Sequence, residues 1–291
     1  MSIAWPLIAA LLTTAALSVR ACVGRITTSA SLVPRAAPTF ERGENAVVFV
    51  GHATTLIHLD GATILTDPNF NDRVMFLRRS RAPGLGIDAL PPLDAVLISH
   101  AHRDHLDFRT LERLPREVVI LIAKGNGHYL RERGFTRVHE VEAGRLTRIG
   151  RIDVIAVPVA HSGARNSASA TWPRAFSYIV RGEKSVYFAG DTGPSPAFSE
   201  IGRAYRIDVA LLPIGAYRPR WFMKDHHLSP ADALHAFAML RARHLIPIHW
   251  GSFRMAFDAV DEPREVLQNL LEHDPVRERV HVLPNGGRYR F

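Results

Sequence analysis

Apolar residues in this chain come in short unbroken runs. Residues 46–50, 55–59, 62–65, 95–98, 118–123, 152–159, 176–180, 185–188, 209–212, 244–248 and 280–283 each read as strands, and runs without polar alternation are what strands covered on both faces show. Asp60-Gly61 between two such runs, and Gly182 between two more, predict hairpins. Helical spacing appears at 128–133, stopped by Gly134, at 196–205 and at 263–272, where Val266, Leu267, Leu270 and Leu271 share a side. A further helix starts at Ser229-Pro230-Ala231-Asp232, which supplies a cap, a proline at the first position and an acid in the first turn. Its apolar face is Ala233, Leu234, Phe237 and Leu240. No repeat or low-complexity segment interrupts the series.

The first residues differ. Positions 1–19 carry no charged side chain, but the apolar stretch is short and broken by Pro6, too little for a confident transmembrane helix. Residues 1–22 are read as a signal or anchor segment, with Val19 and Ala21 suiting cleavage before Cys22. Residues 23–44 read as a linker and 45–291 as the globular domain. The expected location is the cell envelope, anchored or exported, with the cytoplasm as the alternative. The long stretch 69–92 holds the densest basic patch, Arg73, Arg78, Arg79 and Arg81 around Phe76, which suits phosphates or lipid headgroups.

Composition narrows the class. The chain has 291 residues, 47% hydrophobic, enough for one large core. Mean hydropathy is near zero, which excludes both a disordered chain and a polytopic membrane protein. The net charge of +8 rests on 36 basic residues, of which only Lys124, Lys184 and Lys224 are lysines. They are scattered, without the basic run that would track a nucleic acid strand, and no nucleic acid partner is expected. Cys22 is the single cysteine, so no intramolecular disulfide and no thiolate metal site can form.

The chemistry concentrates after residues 95–98, in Ser99-His100-Ala101-His102-Arg103-Asp104-His105-Leu106-Asp107. Imidazole and carboxylate are common zinc ligands, and His100 and His102, two apart, face the same way in extended chain. His161, Asp191 and His249 likewise follow the ends of apolar runs, and crevices at strand carboxyl ends are where α/β folds place ligands. His100, His102 and His161 suit one ion. Asp104, His105 and His249 suit a second, and Asp191 can bridge both. Two ions a few ångströms apart can hold a hydroxide and stabilise attacking and leaving oxygens, which fits hydrolysis of a phosphoester, lactone or amide.

H-x-H-x-D-H, His161, Gly190-Asp191-Thr192-Gly193 and His249 resemble the metallo-β-lactamase superfamily. The resemblance implies an α/β fold, the αββα sandwich of two facing mixed sheets flanked by helices. It also implies metal ligation by His100, His102, Asp104, His105, His161, Asp191 and His249. Gly51-His52-Ala53-Thr54, Leu65-Thr66-Asp67-Pro68, Pro213-Ile214-Gly215-Ala216-Tyr217, Pro219-Arg220-Trp221-Phe222-Met223-Lys224 and Ile248-His249-Trp250-Gly251 are similar to the N-acylphosphatidylethanolamine-hydrolysing phospholipase D group. Carried over, this implies a phosphodiesterase with two zinc ions and a bridging hydroxide, Asp104 handling the water proton and His227 facing the substrate. The implied partners are an anionic lipid or small phosphorylated substrate, a membrane surface and a second copy in a homodimer. Asp67 and Asp107 are expected to orient ligands, Tyr217 and Trp221 to line the cleft, and His52 to be a structural hydrogen-bonding histidine. The β-lactamases proper lack the histidine that His105 supplies, which disfavours antibiotics. A lactonase acting on a small phosphorylated lactone, as in the related ascorbate-6-phosphate lactonases, is one alternative. A non-catalytic metal-binding envelope protein is the other.

Overall fold

A computed structural model describes residues 37–165 and 175–291. The expected signal or anchor segment 1–22 and the linker up to residue 36 lie outside them. Among the described residues no helix is long and apolar enough to cross a membrane.

Alternate residues of one strand enter different cores. Val47 and Phe49 join one apolar cluster and Val48 and Val50 another, so the strand β1 (Ala46–Gly51) is buried throughout. It pairs in antiparallel register with β2 (Thr54–Leu59), which turns through Asp60 and Gly61, both at positive φ, into β3 (Ala62–Thr66). Positive φ at both turn residues matches the twist of the flanking strands. The parallel strands β6 (Ala95–Ile98), β7 (Val119–Ala123) and β8 (Val138–Val141) extend the sheet beyond β3. The short hairpin β4 (Arg73–Val74) and β5 (Leu77–Arg78) stands apart from it.

The second sheet runs β9 (Leu146–Ile149), β10 (Ile152–Pro158), β11 (Phe176–Arg181), β12 (Ser185–Phe188), β13 (Val209–Pro213) and β14 (His244–Ile248), antiparallel up to β12 and parallel after it. Side chains of both sheets share the larger cluster. That cluster continues into α3 (Ala197–Ala204), α5 (Pro230–Leu240) and α6 (Glu262–Leu271) through Ile201, Phe237 and Leu267. The smaller cluster places Leu111 of α1 (Phe108–Leu111) and Leu130 of α2 (Gly127–Arg131) against the first sheet. Helix, sheet, sheet, helix is the observed layering, as the αββα expectation required.

Helix α5 begins as the sequence indicated. Ser229 Oγ accepts from Asp232 N–H, and Asp232 accepts from Ser229 N–H in return, a reciprocal cap that satisfies two otherwise free donors. Two expectations are corrected. Residues 280–283 form no strand, only a single bridge from Val280 to Leu245, and the strand that closes the first sheet is β15 (Gly287–Arg290), antiparallel to β1. In α6 the buried side holds Leu267 and Leu271, whereas Leu270 is exposed.

Candidate metal centre

Each of the seven expected ligands follows the carboxyl end of a strand. The H-x-H-x-D-H segment follows β6, His161 follows β10, Asp191 follows β12 and His249 follows β14. Because β6, β13 and β14 run parallel to their neighbours and the two sheets share one core, these ends meet at one edge. His52 and Asp67 arrive there from the ends of β1 and β3. His52, Asp67 and His249 sit at positive φ, a region that Asn, Asp and His enter more readily than most residues.

The ligand atoms form two clusters. Asp104 Oδ2 is 3.2 Å from His105 Nε2 and 3.4 Å from His249 Nε2, while the Asp191 carboxylate is 3.2 Å from His105 Nε2 and 3.3 Å from His249 Nε2. Atoms bound tetrahedrally at about 2.0–2.1 Å from a zinc ion stand about 3.3–3.4 Å apart. In the second cluster, His102 Nδ1 lies 2.9 Å from His100 Nε2 and 3.2 Å from His161 Nε2. Asp191 Oδ2 is also 3.9 Å from His100 Nε2, so Asp191 stands between the clusters. His105 Nε2 and Asp191 Oδ1 are buried without a hydrogen bond among the described residues. A cation at this centre would satisfy both.

Outer contacts select the tautomers. His105 Nδ1–H donates to Asp67 Oδ2 at 2.6 Å, and Ser99 Oγ, 2.8 Å from His100 Nδ1, donates to the same carboxylate. His161 Nδ1–H donates to the carbonyl of His226 at 3.0 Å. Each bond leaves the Nε2 lone pair turned inward, the arrangement a ligating histidine requires. His52 Nε2–H donates to Asp104 Oδ2 at 3.0 Å.

Burial, followed by neighbouring histidines, holds His100 well below its ordinary range. Burial likewise lowers His102 and brings His161 and His52 to about 3. These rings are neutral at pH 7. Burial pushes Asp104 and Asp191 up, but His105 and the other facing imidazoles outweigh it and hold both well below the usual carboxylate range. Burial lowers His105 and His249 too, yet Asp191 and Asp104 overcome it and raise both. Ionised carboxylates that draw protons onto nearby imidazoles mark a site in demand of positive charge, and neutral imidazoles with carboxylates are the states a metal binds.

The remaining expected residues divide. His227 is at the centre, with Nδ1 3.9 Å from Asp191 Oδ2, no hydrogen bond on that atom and a pKa lowered by burial to about 4. Asp67 orients His105 as expected. Asp107 does not: it caps α1 by accepting from Thr110 N–H, and accepts from Asn71, the use an Asp two residues after His105 and three before a threonine equally permits. Tyr217 is buried and donates to Glu262 Oε1 at 2.7 Å, while Trp221 is exposed on α4 (Arg220–Met223). The main-chain carbonyl of His226, not its ring, serves the site. Side-chain patterns carry no signal for such a contact.

A two-sheet sandwich with this histidine–carboxylate edge defines the class of metallo-β-lactamase-fold proteins. A crystal structure of a possible metal-dependent hydrolase from Veillonella parvula superposes with a TM-score of 0.73 at 16% identity, covering 85% of this chain and all of that one. The beta-lactamase superfamily domain matches residues 62–250. The N-acyl-phosphatidylethanolamine-hydrolyzing phospholipase D 1 of Caenorhabditis elegans is 34% identical over 245 residues, 77% of this chain and 69% of that protein. A UPF0173 metal-dependent hydrolase of Methanopyrus kandleri is 31% identical over 247 residues, 84% of this chain and 98% of that protein. The chain belongs to the beta-lactamase superfamily and is a metal-dependent hydrolase of the metallo-β-lactamase family.

Proposed function

We propose that this hydrolase is a phosphodiesterase of the phospholipase D type, adding water to N-acylphosphatidylethanolamine to give phosphatidic acid and an N-acylethanolamine. The observation that carries the reading is Asp191 standing between two clusters of ligand atoms. On that reading His100, His102, His161 and Asp191 would hold one ion and Asp104, His105, His249 and Asp191 a second, and the nitrogen and oxygen donors suit zinc. When bound, two such ions supply Lewis acidity to phosphoryl oxygens and lower the pKa of water towards about 7.

The chain's own groups do the rest. Asp104, kept ionised and held by His52, takes the proton from the attacking water. His227, neutral and with Nδ1 free of other bonds, hydrogen-bonds a phosphate oxygen or the leaving oxygen. The sequence similarity to the Caenorhabditis elegans phospholipase supports the lipid substrate.

The test incubates zinc-loaded protein with N-acylphosphatidylethanolamine vesicles beside a His102→Ala control. Phosphatidic acid released only by the unsubstituted protein is expected. No release from protein carrying its metal would reject the lipid substrate, and hydrolysis of phosphorylated lactones instead would make it a lactonase.

A further inference from the structure

Seven large apolar side chains are exposed among the described residues, and five of them come from three segments: Met75 and Phe76, Trp221 and Phe222, and Phe257. Met75 and Phe76 form the tip of the β4–β5 hairpin. Trp221 and Phe222 lie on α4, their rings 5.8 Å apart. The segments are stitched together: Ser80 N–H donates to the Ser252 carbonyl at 2.6 Å, and Phe257 N–H donates to the Arg218 carbonyl at 3.3 Å. The rim they form adjoins the metal centre. Phe222 is 6.5 Å from the His226 ring, whose residue anchors His161, and Phe253 meets the His52 ring edge-on at 5.3 Å.

These side chains are not marginally exposed. Trp221 is 81% exposed, Phe76 77% and Phe257 74%, and Trp221 with Phe222 and Met75 with Phe76 are adjacent pairs rather than scattered single residues, the kind of exposed apolar surface that marks an interaction site. The basic patch read from the sequence divides. Arg79 is spent on the Asn69 and Asn71 carbonyls and Arg81 on Asp261. Arg73, Arg78, Lys224 and Arg254, on the same three segments, make no salt bridge among the described residues. Asp72 and Asp225 are the exposed acids beside them. The rim is therefore apolar at its tips and cationic around them.

We infer that this rim docks on an anionic phospholipid surface, the five apolar side chains entering the interface while Arg73, Arg78, Lys224 and Arg254 face the headgroups. Tryptophan and phenylalanine beside arginine are the pairing that such an interface favours, and the surface potential of anionic lipid attracts the unpaired cations. A second copy of the chain would bring a like-charged rim against this one, which the charge opposes. The inference rests on exposure and charge and holds whichever bond the centre cleaves.

The test is co-sedimentation of the full chain with phosphatidylcholine vesicles, with and without phosphatidylglycerol, read as binding and without turnover. The expected result is affinity for the anionic vesicles about tenfold above that for neutral ones, weakening as salt is raised. Trp221→Ser/Phe222→Ser should lower it about tenfold, and the tip variant Phe76→Ser, which disturbs no core contact, should lower it in the same direction. Circular dichroism and metal content are the controls for folding. Equal binding by these variants and the unsubstituted protein would assign adsorption to another part of the chain and overturn the inference. So would equal affinity for neutral and anionic vesicles. A dimer abolished by the same substitutions, without vesicle binding, would assign the rim to a second copy and equally overturn it.

Discussion

Asp67→Asn separates the organisation of the centre from its ligand atoms. Asp67 is fully buried and meets His105 at Nδ1, while His105 Nε2 faces Asp104 and Asp191. The Asp67 carboxylate accepts from Ser99 N–H at 2.7 Å, from Ser99 Oγ and from His105 Nδ1–H at 2.6 Å. Asparagine keeps the volume and tolerates the positive φ of this residue, so the backbone is not strained. It offers one carbonyl oxygen where three donors converge, and its amide group points a donor at one of them. Losing an outer hydrogen bond to a ligating histidine typically weakens metal affinity 10–100-fold, about 1.4–2.8 kcal/mol. A buried donor left unpaired costs about 1–3 kcal/mol of stability besides. Zinc affinity by competition with a chromophoric chelator should fall within that range, and the melting temperature should drop even without metal. Affinity within twofold of the unsubstituted protein would refute the argument that Asp67 holds His105 in its ligating tautomer.

Stability of the metal-stripped protein should fall with acid. His52 and His161, at about 3, and His227, at about 4, stay neutral in the folded chain, while the unfolded chain takes up protons below about 6.5. The unfolded state then binds more protons, so stability is lost as pH falls from about 6.5 towards 4, up to about 1.4 kcal/mol per histidine per pH unit. The raised His105 and His249 contribute stability that is fully present below 6.5 and is lost only as pH rises, so they do not offset it. Urea midpoints that stay level between pH 6.5 and 4.5 would contradict this. Ser229→Ala removes the reciprocal cap of α5 and should destabilise the fold by about 0.5–2 kcal/mol in urea titration; an unchanged midpoint would show that the cap is idle. Gly215→Ala would place a Cβ 2.2 Å from the His249 carbonyl oxygen, forcing the backbone that carries His249 to move. A loss of about 1–3 kcal/mol, together with weaker metal binding, is expected, and unchanged melting and metal content would count against it.

The layers and most strands could be read from the sequence because both faces of each sheet are covered, so strands such as Val119–Ala123 are apolar without interruption. Besides the short β4–β5 hairpin, the strands without an apolar run of their own lie at sheet edges. Val138–Val141, Leu146–Ile149 and Gly287–Arg290 mix charged and apolar residues, because an edge strand buries few of its side chains. Residues 280–283 show the opposite case, an apolar run held by a single bridge and so no strand. The convergence of His100, His102, Asp104, His105, His161, Asp191 and His249 was foreseeable, since every one follows a strand end and strand ends converge. The outer contacts were less so. Asp67 and Asp107 both stand near the histidines, yet one orients His105 and the other caps a helix, a distinction made by chain direction in space. The rim was half visible: the arginines and Phe76 are adjacent in sequence, but Trp221 and Phe257 join them only through the tertiary contacts of residues 218 and 252.

Asp191 between two ligand clusters is the defining feature of the metal centre. Its most direct test is the zinc content of the dialysed protein, by elemental analysis, for the unsubstituted chain and for Asp191→Ala. Two ions per chain in the former, and loss of bound zinc in a folded Asp191→Ala protein, is the predicted result. A folded chain that retains no metal, or an Asp191→Ala variant that binds two ions as tightly as before, would contradict it.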